Sequence, residues 1–219
     1  MQTSLDTEIK SNNNVEINKD KINNKKYLYE ILKRILDIIS SLLGLIVAIP
    51  IILVIAIIIK LEDNGPVFYS QQRLGKDEKN FFVYKLRSMR VDAEKYGGAQ
   101  WAQKDDPRIT KIGKFIRKTR IDEIPQLFNI LKGDMSLIGP RPERPELTYK
   151  FNKEIPGFID RLVIKPGLTG LAQVNGGYDI SPEEKLKWDI IYIKNRNIFL
   201  DISIVFKTIG VVFTGDGAR

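Results

Sequence analysis

Hydrophobic and polar positions divide this chain into three stretches of different character. Residues 1–26 are rich in Asn, Lys and Glu, with too few apolar side chains for a core, and they predict a disordered polar tail. From Tyr27 the order Tyr27, Leu28, Ile31, Leu32, Ile35 has helical spacing. From Ile38 to Ile59 nothing is charged, and all but Ser40, Ser41, Gly44 and Pro50 are aliphatic. About 20 apolar residues suffice for a bilayer core of ~30 Å, so residues 27–60 predict an interfacial and membrane-embedded helix. The run starts too late for a secretory signal and lacks a small-residue cleavage site, so it is a retained element. Residues 61–219 then predict one cytoplasmic domain.

Two topologies fit the apolar run. Pro50 divides it, and the first part, about 12 residues, rises only ~18 Å, past the midplane but not across. Proline removes an N–H and clashes with the preceding turn, so a kink is expected there, although spanning helices carry prolines too. Lys25, Lys26, Lys33 and Arg34 lie before the run, and Lys60, Arg73, Lys76 and Lys85 after it. Basic flanks on both sides favour keeping both ends in the cytoplasm, hence a re-entrant helix–break–helix anchor.

Within the domain, aromatic-rich Val67–Arg73 and Phe81–Arg87 bracket a polar turn and predict a β-hairpin. Residues 88–96 predict a helix ending at Gly97-Gly98. Ile109–Arg120 and Ile121–Leu131 predict two short helical segments, the first basic enough to meet anionic headgroups or phosphates. Ser181-Pro182-Glu183-Glu184 is a capping box with proline at the first helical position. Ile198–Phe213 places Phe199, Ile202, Phe206, Ile209 and Phe213 on one stripe opposite Asp201 and Lys207, which predicts core packing first and membrane-surface contact second. The expected fold class is α+β and helix-rich, with a small β-hairpin and amphipathic interfacial helices.

Composition narrows the chemistry. The 219 residues contain no His and no Cys, which excludes His-dependent nucleophile systems, His/Cys zinc sites and disulfides. Carboxylates, Arg, Lys, hydroxyls and oxygen-bound metals remain. The net charge of +8 suits anionic partners.

The densest candidate stretch is Arg117-Lys118-Thr119-Arg120-Ile121-Asp122-Glu123-Ile124-Pro125-Gln126-Leu127. Two adjacent carboxylates before a proline suit a helix first turn, where acidic residues are also the plain electrostatic preference. Neighbouring residues on a helix point about 100° apart, so each could serve a different purpose around one ligand. Gly139-Pro140-Arg141-Pro142-Glu143-Arg144-Pro145 adds two guanidiniums on a stiff loop, suited to phosphate oxygens. Lys165–Gly170 and Gln173–Gly177 add turns with close backbone approach. Together these point to a diphosphate-like ligand beside a bilayer.

These motifs, with Leu131–Glu143, Phe68–Gly75, Tyr84–Met89, Asp106–Thr110 and Lys165–Gly176 in the same order, resemble the bacterial sugar transferase family, the monotopic polyprenyl-phosphate phosphoglycosyl transferases that initiate capsule, exopolysaccharide and glycan assembly. The resemblance covers roughly residues 30 to 219. It implies transfer of a sugar 1-phosphate from a UDP-sugar to undecaprenyl phosphate with release of UMP. Asp122 then corresponds to the nucleophile that forms a covalent phosphosugar-aspartate. Glu123 corresponds to the ligand of Mg²⁺, a hard cation taking oxygen donors. Arg117 and Arg141 match family positions for phosphate binding, and Lys85 and Arg87 join them. Gly177 departs from a frequent family Arg. The implied setting is the bacterial inner (cytoplasmic) membrane, with the catalytic domain facing the cytoplasm; a homodimer is left open.

Two alternatives remain at this level: direct displacement without a covalent intermediate, and a non-enzymatic, membrane-anchored anion-binding protein. Nucleic acid is not an expected partner, because no binding motif for it occurs. The sugar and the polymer are not encoded in any motif found.

Overall fold

The computed structural model describes residues 26–93, 106–176 and 180–214. The predicted tail and Gly177 lie outside these residues. Helix α1 spans Tyr27–Glu62, and a two-stranded antiparallel hairpin follows, β1 (Phe68–Leu74) and β2 (Asn80–Leu86). Next come α2 (Lys111–Lys118), α3 (Gln126–Lys132), β3 (Ser136–Ile138), α4 (Pro145–Glu154), β4 (Gly167–Thr169), α5 (Leu171–Gly176), α6 (Pro182–Asn195) and α7 (Ile198–Thr214). Strand β3 pairs in parallel with β4. The chain is α+β and helix-rich, with one long apolar N-terminal helix.

The hairpin forms as expected, with Phe68 opposite Leu86 and Leu74 opposite Asn80. The capping box also forms, Ser181 Oγ accepting the Glu184 N–H at 3.2 Å. Two expectations need correction. The stretch 88–93 is not helical: Met89 bridges Ile109 antiparallel, and Arg90 N–H donates to the Arg108 carbonyl. Pairing with a distant segment satisfies backbone groups that a helix would otherwise have satisfied locally. The predicted break at Pro50 is no interruption either, since α1 runs through it. Proline deletes a single helical donor, and the turns on both sides continue.

Helix α1 is built inside out. Lys33, Asp37, Ser41, Ala48, Ile55 and Ile59 are buried, at spacings of four and seven that define one face. Most of its remaining aliphatic surface is exposed; Leu28, Ile46 and Val47 are each about two-thirds exposed. Helix α7 repeats the pattern. Asp201 and Ile204 are buried, whereas Phe199 is 85% and Phe206 70% exposed. The Phe199–Ile202–Phe206–Ile209 stripe therefore faces outward, contrary to its predicted core packing. The two buried polar faces meet where Lys33 Nζ donates to Asp201 Oδ2 at 3.0 Å. Tyr29 and Tyr192 hydroxyls donate to the same carboxylate.

Both ends of α1 dock on the same domain. Near the start, Arg34 donates to the carbonyls of Ile130 (2.6 Å) and Leu131 (2.8 Å), closing the C-terminus of α3. At the far end, Glu62 accepts the Lys111 and Ile112 N–H groups at 2.7 and 3.0 Å, capping α2. Unsatisfied N–H groups and the positive helix end favour such a carboxylate. Between these points, a Cβ on Gly44 would lie 3.0 Å from Leu127, so glycine lets α1 approach α3 closely. Ile55 and Ile59 join Leu86 and Ile116 in a core cluster beneath the dyad segment.

Candidate active site

The dyad lies in the link between α2 and α3, the two helices whose ends α1 closes. After α2, Arg120 adopts a left-handed conformation (φ 59°) that reverses the chain, and Ile121–Glu123 form one 3-10 turn. Such a backbone is uncommon for a residue with a side chain and clusters at functional sites. Asp122 and Glu123 thus precede α3 rather than sitting in its first turn as predicted. Ile121 packs in the cluster with Ile116, so the turn is held from below and both carboxylates are buried.

The two acids differ in their partners. Glu123 Oε1 accepts Lys85 Nζ at 2.7 Å and Arg141 Nη2 at 2.5 Å, and Oε2 faces Arg141 Nη1 at 3.4 Å. Burial opposes its ionisation, but Arg141 and Lys85 outweigh burial and hold the carboxyl well below the usual range. Asp122 accepts no hydrogen bond from any cation among the described residues. Burial is the largest influence on it; Lys85 pulls the other way, Glu123 adds to the rise, and the result is about 6.

Lys85, Arg87, Arg117, Asp122, Glu123 and Arg141 all line one cleft of about 410 Å³. Among the described residues, ten Lys and Arg line it against three Asp and Glu, a balance suited to a polyanion. The structure therefore gathers these six candidates in one cleft, though not equally. Lys85 and Arg141 clamp Glu123, and Arg117 lies within electrostatic reach of Asp122. Arg87 turns one nitrogen towards the Asp63 carbonyl at the end of α1, and its buried Nε and Nη1 find no hydrogen-bond partner among the described residues.

Arg73, Glu143 and Lys185 also line the cleft, and the sequence did not single them out as ligands. Glu143 accepts Lys185 Nζ at 2.7 Å and faces Arg73 at 3.7 Å. The one available signal was the acidic residue inside the Pro-Arg-Pro-Glu motif, which needs buried cationic partners. The close approaches expected at the glycine turns are present: Gly139 N–H donates to the Thr169 carbonyl and Gly167 N–H to the Pro140 carbonyl, both at 2.9 Å. A Cβ on Gly167 would lie 2.1 Å from the Gly139 nitrogen, which excludes any side chain there.

The donor chemistry fits Mg²⁺. Glu123 is ionised with Oε2 nearly unengaged, and Asp122 adds a second carboxylate. No cluster of three acidic groups occurs among the described residues. One or two carboxylates, completed by water and substrate phosphate, is the set this ion takes.

A buried acid pair in a strongly basic cleft beside a long apolar helix suits an anionic ligand. Comparison with known proteins agrees: the chain belongs to the bacterial sugar transferase family, matched over residues 28–215. It is 47% identical over 195 residues to a UDP-N-acetylgalactosamine-undecaprenyl-phosphate N-acetylgalactosaminephosphotransferase of Aeromonas hydrophila, covering 88% of this chain and 46% of that protein. It is 41% identical to an undecaprenyl-phosphate galactose phosphotransferase of Salmonella typhimurium, covering 85% and 41%. It is 43% identical to a UDP-glucose:undecaprenyl-phosphate glucose-1-phosphate transferase of Klebsiella pneumoniae, covering 82% and 39%. The chain thus spans less than half the length of these relatives.

Proposed function

We propose that this chain transfers a sugar 1-phosphate from a UDP-sugar to undecaprenyl phosphate in two steps through Asp122, releasing UMP. The observation that carries the reading is the division within the dyad. Glu123 takes both cations, Lys85 and Arg141, and Asp122 lines the cleft with a carboxylate that accepts from no cation among the described residues.

In the first step an Asp122 carboxylate oxygen attacks the sugar-linked phosphorus. The P–O bond to the bridging oxygen breaks, UMP leaves with that oxygen, and an acyl phosphate joins Asp122 to the sugar phosphate. In the second step an oxygen of the lipid phosphate attacks the same phosphorus, the aspartyl–phosphorus bond breaks, and the carboxylate is regenerated beside lipid diphosphosugar. Splitting the transfer suits one soluble and one membrane-bound substrate, which then need not meet simultaneously. Arg117, Arg87 and Arg141, which line the cleft, neutralise the diphosphate. Lys85 keeps Glu123 ionised. Glu123 and Asp122 would hold Mg²⁺, which supplies further neutralisation of phosphate charge.

The anchor reading rests on docking. Arg34 and Glu62, near opposite ends of α1, bind the same domain, an arrangement that a helix crossing the bilayer could not make. This supports re-entrant insertion, with the apolar outer faces of α1 and α7 in lipid and the domain on the cytoplasmic side. Polar faces inward and Phe199 and Phe206 outward are the reverse of a water-soluble pair.

The test is incubation of purified enzyme with donor alone, labelled in the β-phosphate. Label should stay with the protein and be discharged by undecaprenyl phosphate. An enzyme that turns over but never carries label would establish direct displacement instead. The relatives transfer different sugars, so donors should be screened by UMP release.

A further inference from the structure

The loop bearing Arg141 is held carbonyl by carbonyl. Pro140 accepts Gly167 N–H at 2.9 Å, Arg141 accepts Arg161 Nη2 at 3.0 Å, Pro142 accepts Arg73 Nη1 at 3.2 Å, and Glu143 accepts Leu74 N–H at 3.1 Å. Two of these donors are backbone groups, and Arg73 lines the cleft. Arg161 does neither. Together with Asp189 it lies behind the cleft wall, each side chain 1% exposed.

Asp189 Oδ2 accepts Arg161 Nε at 2.9 Å and Nη2 at 2.5 Å. The guanidinium lies 4.9 Å from the centre of the Phe158 ring. Such a pair is a poor device for stability alone. Desolvating two charges costs several kcal/mol, and well-packed apolar replacements are often neutral or better. What apolar side chains cannot supply is a rigid, planar donor aimed at one carbonyl. That carbonyl belongs to the residue whose side chain clamps Glu123.

We propose that Arg161, fixed by Asp189, is a positioning residue for the reaction: it sets the Arg141 backbone so that the guanidinium reaches Glu123 and the phosphates of the bound nucleotide. The inference rests on the reading of Arg141 as a phosphate-binding group. Neither Arg161 nor Asp189 touches substrate.

The experiment measures UDP binding by calorimetry on the full chain in detergent. The variants are Arg141→Ala, the double variant R161M/D189L, and the two combined. The double variant should melt within about 3 °C of the parent, because the buried pair is replaced as a unit. It should nevertheless bind UDP about tenfold more weakly, a loss of ~1.4 kcal/mol. Added to Arg141→Ala, the same two substitutions should change affinity by less than about twofold, since the group they position is gone.

Parental UDP affinity in R161M/D189L, alongside weak binding by Arg141→Ala, would overturn the inference and leave the role of Arg141 intact. A full further loss in the Arg141→Ala background would overturn it as well, since Arg161 would then act on something else. Parental affinity in Arg141→Ala would instead sink the reading of Arg141, and this inference with it. Should the double variant fail to fold, Arg161→Lys keeps the charge beside Asp189 but cannot also reach the Arg141 carbonyl. It should show the same loss of UDP binding, and parental binding there would count against the proposal.

Discussion

Replacing Asp122 by Asn should cost activity and gain stability, and the gain should depend on pH. Burial raises this carboxyl from an ordinary 3.8 to about 6, so the native state retains a proton that the unfolded chain has released between those values. Stability from this group is therefore complete below about 3.8 and is lost as pH rises through 6. Above that, the ionised carboxylate costs the fold about 3 kcal/mol at ~1.4 kcal/mol per pH unit. The side chain is 7% exposed, so solvent screening takes little from this figure. Asparagine never pays it, but its amide brings a packing cost that does not vary with pH. Comparing two pH values removes that cost. Between pH 7.5 and 4.5 the stability difference between variant and parent should shrink by about 2 kcal/mol. For a chain of this size that is roughly 4–8 °C in the relative melting temperatures. The assay is thermal unfolding of both proteins in one detergent with EDTA at both pH values, paired with UMP release in Mg²⁺ at pH 7.5. A variant no more stable relative to the parent at pH 7.5 than at 4.5 would refute the reasoning about burial. Activity above about a tenth of the parent, a barrier change below ~1.4 kcal/mol, would show that Asp122 is not the nucleophile.

Glu123→Gln should move stability the other way, by about 1–3 kcal/mol, because Lys85 and Arg141 lose the anion that offsets their burial; UMP release should fall severely and respond more steeply to added Mg²⁺. Glu62→Gln leaves α2 with a neutral cap and should lower stability by about 1 kcal/mol in urea titration, with an unchanged midpoint contradicting the capping role. Pro50→Leu restores the helical donor that proline removes and should favour the spanning path, so some molecules expose a cysteine placed at Ser11 to an impermeant reagent in intact cells. The parent background, with cysteines at Ser11 or Ser181, should stay unlabelled, and labelling at Ser11 alone would establish a spanning helix.

Local patterns carried much of this fold and site, and the limits of local patterns explain the rest. The hairpin, the Ser181 cap and the glycine approaches between Gly139 and Gly167 were legible because each is decided by neighbouring residue types. The orientation of α7 was not. A stripe of Phe199, Ile202, Phe206 and Ile209 has the same period whether it meets a protein core or lipid; what distinguishes them is the burial of Asp201 with Lys33, 168 residues away in the chain. The same holds at the centre of the site. Two adjacent acids look equivalent in sequence, and their helix-start preference says nothing of their separate partners. The division comes from Lys85, 38 residues before Glu123, and Arg141, 18 after it, both reaching the second acid rather than the first. Their reach depends in turn on the hairpin that carries Lys85, the Arg161-held loop that carries Arg141, and the anchor helix that closes α2 and α3 around the turn. The two acids are thus told apart by which cations arrive, and the fold is what makes them arrive at Glu123.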